Sequence, residues 1–520
     1  MIRRLLQINA VIIGLLAAVL LLYPCVRAAL DLSDPALRQP GTPQAAWRLY
    51  RNLTPRFATW ATARSASGRA ELLSTNDISG TEWPLFGSLF FLWGVENLQT
   101  AWDAGDHTPR IEPRIFAHDA IVAASELVVD PRQAGWVRRH WGDDYLHREN
   151  VFYRMLLIGS LAAREHLLRD HAHLDLLRDQ VESLASELDA SATGLLDDYP
   201  GQCYPGDVAA AWACIKRADV VLGTDHSRMI NRALRGFTGA RTTRRQLPPY
   251  SADSRRGVPL SDARGCANSY FGLLAPELWP TAAREWYAIY DKTFWQDRYA
   301  IAGYREFAPN SPHPEWTADV DAGPVVAGFG VSASAFGVGA SRKNGRLDRA
   351  YPLAAELLVT VGELPGGALA IPRLLSNQTD APLLGEAAIL WQLSTVPEKG
   401  VPLKMGGTLP GYVYLMLIVP GGLGIWGLLH SVWAFRDSQR RRSDPEVRAP
   451  GLQAALWAGL LGGSSFAGVT GHAVMALVLL LATVCLPRVK KNKTPRATED
   501  WETNSSLPTT KKEDRPAPPK

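Results

Sequence analysis

Three apolar stretches set the limits on this chain, because a run long enough to cross a bilayer cannot sit in a polar domain unless it is buried on all sides. Residues Ile8 to Val26 are apolar apart from Asn9 and follow Met1-Ile2-Arg3-Arg4, the pattern of a signal peptide or an uncleaved anchor. An anchor is expected here. Ala28-Ala29, the nearby small pair, follows Arg27, and Pro24 before Cys25 spoils a lipoprotein cleavage box. Tyr412 to Phe435 form a second span, with a kink expected at Pro420, and it exits into Arg436, Arg440, Arg441 and Arg442. Basic flanks stay in the cytoplasm. The first span then carries the chain out and the second returns it, placing residues 30 to 410 on the extracytoplasmic, periplasmic side of an inner membrane.

The third stretch, Leu452 to Leu486, is too long for one span and is broken by Gly462-Gly463, Gly468 and Gly471. A hairpin or a re-entrant segment is expected, entering over Leu452 to Leu461, turning over Gly462 to Gly471 and returning over His472 to Leu486. Arg488, Lys490, Lys491 and Lys493 would then lie in the cytoplasm. The expected division is an anchor at 1–29, an extracytoplasmic domain at 30–405, a membrane region at 406–487 and a disordered tail at 488–520, rich in Lys, Pro, Thr and Glu.

Composition agrees with one large domain tied to a membrane. Hydrophobic residues make up 47% of the 520, too many for a disordered chain, and the mean hydropathy of -0.08 is too low for a polytopic transporter. A net charge of +4, with the densest basic runs beside the apolar spans, excludes a nucleic-acid surface. The five cysteines contain no C-x-x-C pair, which excludes a zinc ribbon and a disulfide-rich scaffold.

Between the spans the helical period dominates and no alternating strand pattern stands out. Helices are expected over Leu89–Trp102, Asp119–Leu127, Asn150–Leu168, His171–Leu188, Val208–Leu222, Ser227–Leu234, Thr281–Tyr290, Val325–Ala340, Ala350–Thr360 and Leu384–Leu393, with shorter pieces near Trp47–Leu53 and Ala267–Leu274. About a dozen helices suggest an all-α (α/α)6 toroid of six hairpins. A solenoid would show a repeat of roughly 34 to 47 residues, and none is found.

The stretch Gly194 to Asp225 concentrates reactive groups. It holds five aspartates, two tyrosines and two cysteines among four glycines and two prolines, and its second half reads as a helix. Asp207 sits where a helix N-cap belongs, so capping explains it as cheaply as catalysis does. Asp197, Tyr199, Cys203 and Tyr204 share the loop, whose two Tyr-Pro turns hold side chains in fixed directions. Glu149 and Tyr153 are four apart on one helix face, although Glu149 also suits a cap. Asp319 and Asp321 precede Gly323-Pro324, in a turn that places both carboxylates near the next helix start. Roughly half of such pairs merely cap that helix.

Other pairs carry less. His171 and His173 diverge on a helix and have no third ligand at suitable spacing, so no metal is expected. Asp225-His226 reads as a cap, and Gly328-x-Gly330 and Gly337-x-Gly339 lack the preceding strand of a dinucleotide fingerprint.

Several segments together resemble linalool dehydratase/isomerase. These are Trp141-Gly142-Asp143, Glu149-Asn150-Val151-Phe152-Tyr153, Asp170-His171-Ala172-His173-Leu174 and Gly194 to Asp225 ending in Leu222-Gly223-Thr224-Asp225, followed by Asp319-Val320-Asp321-Ala322-Gly323 and Leu383-Leu384-Gly385-Glu386. The likeness spans roughly residues 80 to 395. It implies an (α/α)6 barrel, cofactor-free acid/base chemistry on a small allylic alcohol, and a homo-oligomer in which a neighbour helps close the site. The family's catalytic histidine falls on Leu156, its two cysteines fall on Asp197 and Asp207 with Cys203 between them, and its early Asp and Tyr map onto Glu82 and Phe86. A carboxylate-lined cavity replaces a cysteine-lined one.

Clustered carboxylates repel one another, which raises at least one pKa and supplies an acid and a base at neutral pH. That suits a membrane-anchored lyase or isomerase acting on a small alcohol or terpenoid-like molecule. It also suits a glycoside-active enzyme on the same toroid, with Tyr199, Tyr204, Trp316 and Trp83 stacking on sugar rings. Most aromatics are core, so each of these is weighed against packing. A non-catalytic membrane-assembly module is the third reading.

Overall fold

Helices that are apolar on every face need neighbours on every face, and this requirement sorts the elements into inner and outer ones. The computed structural model describes residues 2–376, 379–440, 451–469 and 473–484. These divide into a main unit, Ala10–Ala434, and a second unit of Met1–Asn9 with Phe435–Lys520. The structure is mostly helical.

The chain begins with α1 (Ile2–Leu16), a π-helical turn at Ala17–Leu22 and α2 (Tyr23–Leu32). There follow α3 (Gln44–Ser67), α4 (Ile78–Asp103), the short α5 (Pro113–Phe116), α6 (His118–Val129), α7 (Gly135–Trp141), α8 (Val151–Leu168), α9 (Leu174–Ala190), α10 (Pro205–Leu222) and α11 (Ser227–Ala233). After a long connection come α12 (Gly265–Leu278), α13 (Pro280–Phe294), α14 (Val331–Lys343), α15 (Leu347–Val361), α16 (Ala370–Ser376) and α17 (Leu384–Ser394), and then α18 (Gly411–Arg440).

Every residue of α8 from Val151 to Glu165 is buried, as is every residue of α10 from Val208 to Ile215. In α9 only a stripe is covered, at Leu177, Gln180, Val181, Leu184, Ala185 and Leu188, and α13 shows the same one-sided pattern. Helices α8 and α10 belong to a closed succession of packed helices: α4 on α8, α8 on α10, α10 on α12, α12 on α14, α14 on α17, and α17 on α4. Outside them α6 packs on α3, α9 on α8, α13 on α12 and α15 on α14. Glycine permits the closest approaches. A Cβ on Gly159 would lie 2.8 Å from the Cys214 sulfur, and one on Gly94 would lie 2.8 Å from Leu390.

The helices generally run longer than their apolar periodicity suggests. The piece expected at Trp47–Leu53 is the 24-residue α3, because its later turns alternate buried Phe57, Ala61 and Arg64 with solvated residues. The helix expected over Val325–Ala340 begins only at Val331, and the stretch before it is strand. Three small antiparallel sheets were not legible in the sequence. They are β1 (Ala252–Asp253) with β2 (Val258–Pro259), β3 (Trp295–Arg298) with β4 (Ile301–Tyr304), and β5 (Thr317–Asp319) with β6 (Gly323–Val326) and β7 (Phe329–Gly330). Their registers place Trp295 opposite Tyr304 and Asp319 opposite Gly323. Strands of two to four residues are too short to display an alternation.

Two helical stretches are long and apolar enough to cross a membrane, Leu6–Leu32 and Gly411–Gln439, and only 22% and 17% of their apolar windows are buried, unlike core helices. They lie against each other. Ser431 Oγ donates to the Ala10 carbonyl at 2.5 Å, and Cβ atoms on Gly424 and Gly427 would come within 2.6 Å of Leu22 and 2.8 Å of Ala17. Small residues of this kind let spans approach closely in lipid. Pro420 lies inside α18 without ending it.

In the second unit, α19 (Gly451–Val469) packs on α20 (Ala473–Val484). The entering arm runs through Gly462 and Gly463 to Val469, longer than its glycines suggest, because helix interiors tolerate glycine at about 1 kcal/mol each. The expectations for Arg441, Arg442, Gly471, His472, Arg488 to Lys493 and the tail to Lys520 fall outside the described residues.

Candidate functional site

The loop before α10 turns tightly and aims its side chains at the starts of neighbouring helices. Gln202 N–H donates to the Tyr199 carbonyl at 2.8 Å and Asp198 N–H to the Gln202 carbonyl at 2.8 Å, closing a turn at Pro200-Gly201. Asp197 stabilises that turn by accepting the Gly201 N–H at 2.8 Å. Glu149 fixes it from the side, accepting the Asp197 N–H at 2.9 Å and pairing with Arg255. Both residues, expected as catalytic, are thereby occupied in building the loop.

Asp207 lies in the first turn of α10 but does not cap it. The helix begins after Tyr204, and the Asp207 carboxylate accepts no hydrogen bond among the described residues. Burial pushes its pKa up to about 8, and the neighbouring charges of Glu82 and Asp321 add to the rise. The capping explanation therefore fails on geometry.

Beside it lies a residue that sequence reasoning passed over. Asp198 is buried, with one carboxylate oxygen accepting the Tyr204 N–H at 2.6 Å and Oδ1 without a partner. Burial, then the charge of Asp207, hold its carboxyl far above the usual range, with Asp197 and Glu82 adding to the effect. Two carboxyls whose charges repel, one of them buried and the other half-buried, cannot both ionise cheaply, so the pair keeps a proton at neutral pH.

Glu82 joins them from the start of α4. Burial raises its pKa to about 7, against a hydrogen bond from the Tyr199 hydroxyl that lowers it, and Asp321 raises it further. Asp321 closes the group from the β5–β6 turn, where it accepts the Tyr250 hydroxyl. Its neighbour Asp319 serves that turn instead, accepting the N–H groups of Asp321 at 3.0 Å and Ala322 at 2.7 Å and pairing with Arg264. Arg264 also bonds Glu306 at 2.7 Å and lies 4.4 Å from the centre of the Tyr250 ring, so one cation holds this wall.

Tyrosines complete the lining. Burial pushes the Tyr204 hydroxyl up to about 12 and holds those of Tyr199 and Tyr250 higher still. All three are neutral donors at physiological pH. Tyr270, from α12, is buried with its hydroxyl unpartnered and feels the charge of Asp207. Below lies an aromatic floor: Tyr270 and Phe90 meet Phe336, each at 5.8 Å between ring centres, and Phe86 lies 5.1 Å from Phe152.

Several expected members lie elsewhere. Tyr153 is wholly buried and donates to the Val128 carbonyl at 2.8 Å, so it points into the helix packing rather than toward the carboxyls. Trp316 stands 69% exposed on the rim. Cys203 is buried beside Asp198, and burial pushes its thiol far up, which makes it an inert wall. Leu156 is fully buried and apolar. His171 and His173 pair separately with Glu165 and Glu126, Asp225 accepts the Ser227 N–H at 2.9 Å, and among the described residues no group of three or more His, Cys, Asp or Glu is arranged for a metal ion. A cleft of about 100 Å³ near Arg305, Phe307 and His313 lies apart from the carboxyls, and its Arg305 is committed to Gln296 and Glu315.

Sequence alone had no means to choose Asp198 over Asp197, since adjacent residues in a loop carry no period. Tyr250, Tyr270 and Arg264 carry no motif either, and only the convergence of helix starts brings them in. Fold and site together define a mostly helical chain with two helices of membrane-crossing length and a partly buried carboxyl–tyrosine cluster centred on Asp198. No protein-family model matches the chain, and no curated protein matches it significantly.

Proposed function

We propose that this protein is a membrane-anchored acid/base enzyme of the lyase or isomerase type, acting on a small apolar alcohol. The observation that carries the reading is the partnerless Asp207 carboxyl, raised to about 8, beside the buried Asp198 and the raised Glu82. Such a group is a carboxylic acid at pH 7 and delivers a proton where a free aspartate has none to give. In a dehydration, Asp207 protonates the substrate hydroxyl, the C–O bond breaks and water leaves. Glu82 in its ionised fraction removes a proton from the adjacent carbon, and the C–H pair becomes the alkene. Return of water to the far end of an allylic system gives the isomer. Aromatic faces next to the carboxyls favour the positive charge that develops as the C–O bond breaks.

The same reading takes the closed succession of helix packings as the (α/α)6 toroid of a linalool dehydratase/isomerase-like protein. Glu82, Asp207 and Tyr270 lie in the first two turns of α4, α10 and α12, Asp198 and Tyr204 in the loop before α10, and Asp321 in the β5–β6 turn against the start of α14, a placement that suits one mouth of such a toroid. Basic residues at Arg3 and Arg4 and at Arg436 and Arg440 favour an inner-membrane topology with the domain outside the cytoplasm. A homo-oligomer belongs to this proposal as well.

The test is turnover of a panel of allylic alcohols by the full chain in mild detergent, with alkene and isomer products followed by gas chromatography. Asp207→Asn and Asp198→Asn should each lower the rate at least about 100-fold, the usual contribution of one general acid. Undiminished turnover in both variants would refute the assignment.

A further inference from the structure

The geometry points to a site that opens toward the bilayer, so that the substrate enters from the membrane and is an alcohol apolar enough to dissolve there. This rests on reading the two long apolar helices as spans and the carboxyl cluster as the reaction site. The direction follows from helix polarity. α14 starts beside the β5–β6 turn that carries Asp321 and runs away from it, and α15 returns against α14 after a three-residue connection, 344–346. So short a link makes the two helices antiparallel, and the C-terminus of α15 comes back to the level of the site.

That end is where the spans attach. Ala28, Leu32 and Val413 form one apolar cluster with Ala355 and Val359 of α15. The Thr360 hydroxyl lies 3.2 Å from that of Tyr412, and the Tyr412 N–H donates to the Ala300 carbonyl at 2.8 Å. At the opposite end of α15, Tyr351 holds Arg38, which follows α2 in the chain. The chain therefore leaves α2 travelling away from the site, and the spans depart on the site's own side.

The rim on that side is dressed for an interface. Tyr299 at the β3–β4 tip is 65% exposed, Trp316 is 69% exposed, and Leu375 on α16 is 66% exposed. Arg298 bonds the Tyr299 hydroxyl and pairs at 3.1 Å with Glu315, so one ion pair joins the chain neighbours of Tyr299 and Trp316. Tyrosine and tryptophan beside arginine suit the headgroup zone, where an apolar ring and a polar edge are both satisfied. The hairpin that bears Tyr299 is bonded to the first turn of α18, so this surface continues directly from the span.

Nitroxide labels in nanodiscs of phosphatidylethanolamine and phosphatidylglycerol test this on the full chain, independently of turnover. Single cysteines replace Tyr299 and Trp316 on the rim, Val419 inside the second span, and Asp225 beyond the far end of α10, with the unaltered protein as background. Collision with oxygen is compared with collision with a water-soluble nickel chelate. The expected result is a several-fold higher oxygen-to-nickel ratio at 299, 316 and 419 than at 225. A lipid-like Val419→Cys with water-like rim labels would overturn the inference and leave the spans and the acid/base site standing. A water-like Val419→Cys would remove the membrane reading itself, and the inference with it.

Discussion

Replacing Asp207 by Asn should stabilise the protein, and the gain should grow with pH. The carboxyl is held at about 8 in the fold, against 3.8 as its ordinary value, so between those pH values the folded chain binds a proton that the unfolded chain has released. For a raised carboxyl the stabilising contribution is complete below about pH 4 and is lost as pH rises through about 8. At about 1.36 kcal/mol per pH unit the cost reaches roughly 4 kcal/mol at pH 7 and about 6 kcal/mol above pH 8. Part of this is repulsion shared with Glu82 and Asp321, and halving it for that coupling leaves about 2 kcal/mol at pH 7 and under about 1 kcal/mol at pH 5. Asparagine fits the same space and cannot ionise. Thermal unfolding of the full chain in mild detergent, followed by circular dichroism at pH 5, 7 and 8.5, should show Asp207→Asn melting a few degrees above the parent at pH 7, with the gap widening as pH rises. A lower Tm for the variant at pH 7, or a gap that does not change with pH, would refute the reasoning and return Asp207 to a structural role.

Two further outcomes follow from the hydrogen bonds. Tyr199→Phe removes the hydroxyl that supports the Glu82 anion, so the acidic limb of the pH–rate profile should move upward by about one pH unit, the scale of one lost bond to a charged group; an unmoved limb would separate Glu82 from the chemistry. Glu149→Ala removes both the acceptor for the Asp197 N–H and the partner of Arg255, which should cost about 1–3 kcal/mol and speed proteolysis within residues 197–204; unchanged cleavage would show that the loop holds itself.

The helices and the long apolar stretches were readable because their signals repeat over many residues, as in the covered stripe of α9 or the run of α18. The site was readable only as a neighbourhood. The loop from Asp197 to Asp207 stood out by composition, yet its members divide by geometry: Asp197, with Glu149 from outside the loop, builds the turn, while Asp198 and Asp207 raise each other's cost of ionising. The Asp319/Asp321 pair divides in the same way, with one residue in the turn and the other at the Tyr250 hydroxyl. Tyr153 shows the limit of spacing. It lies four residues from Glu149, but on a helix buried all round that spacing does not choose a direction, and the hydroxyl went to Val128. The short strands from Trp295 to Gly330 were invisible because their register depends on contacts with α14 and α15 rather than on their own pattern.

The central claim is that a carboxyl at the start of α10 keeps its proton at neutral pH. Infrared difference spectroscopy of the full chain measures this directly, through the carbonyl band of a protonated carboxyl as pH is raised. A protonated band that persists at pH 7, fades near pH 8 and is missing in Asp207→Asn is the predicted result. Disappearance of every protonated band by about pH 5, the ordinary range for exposed carboxylates, would contradict the account.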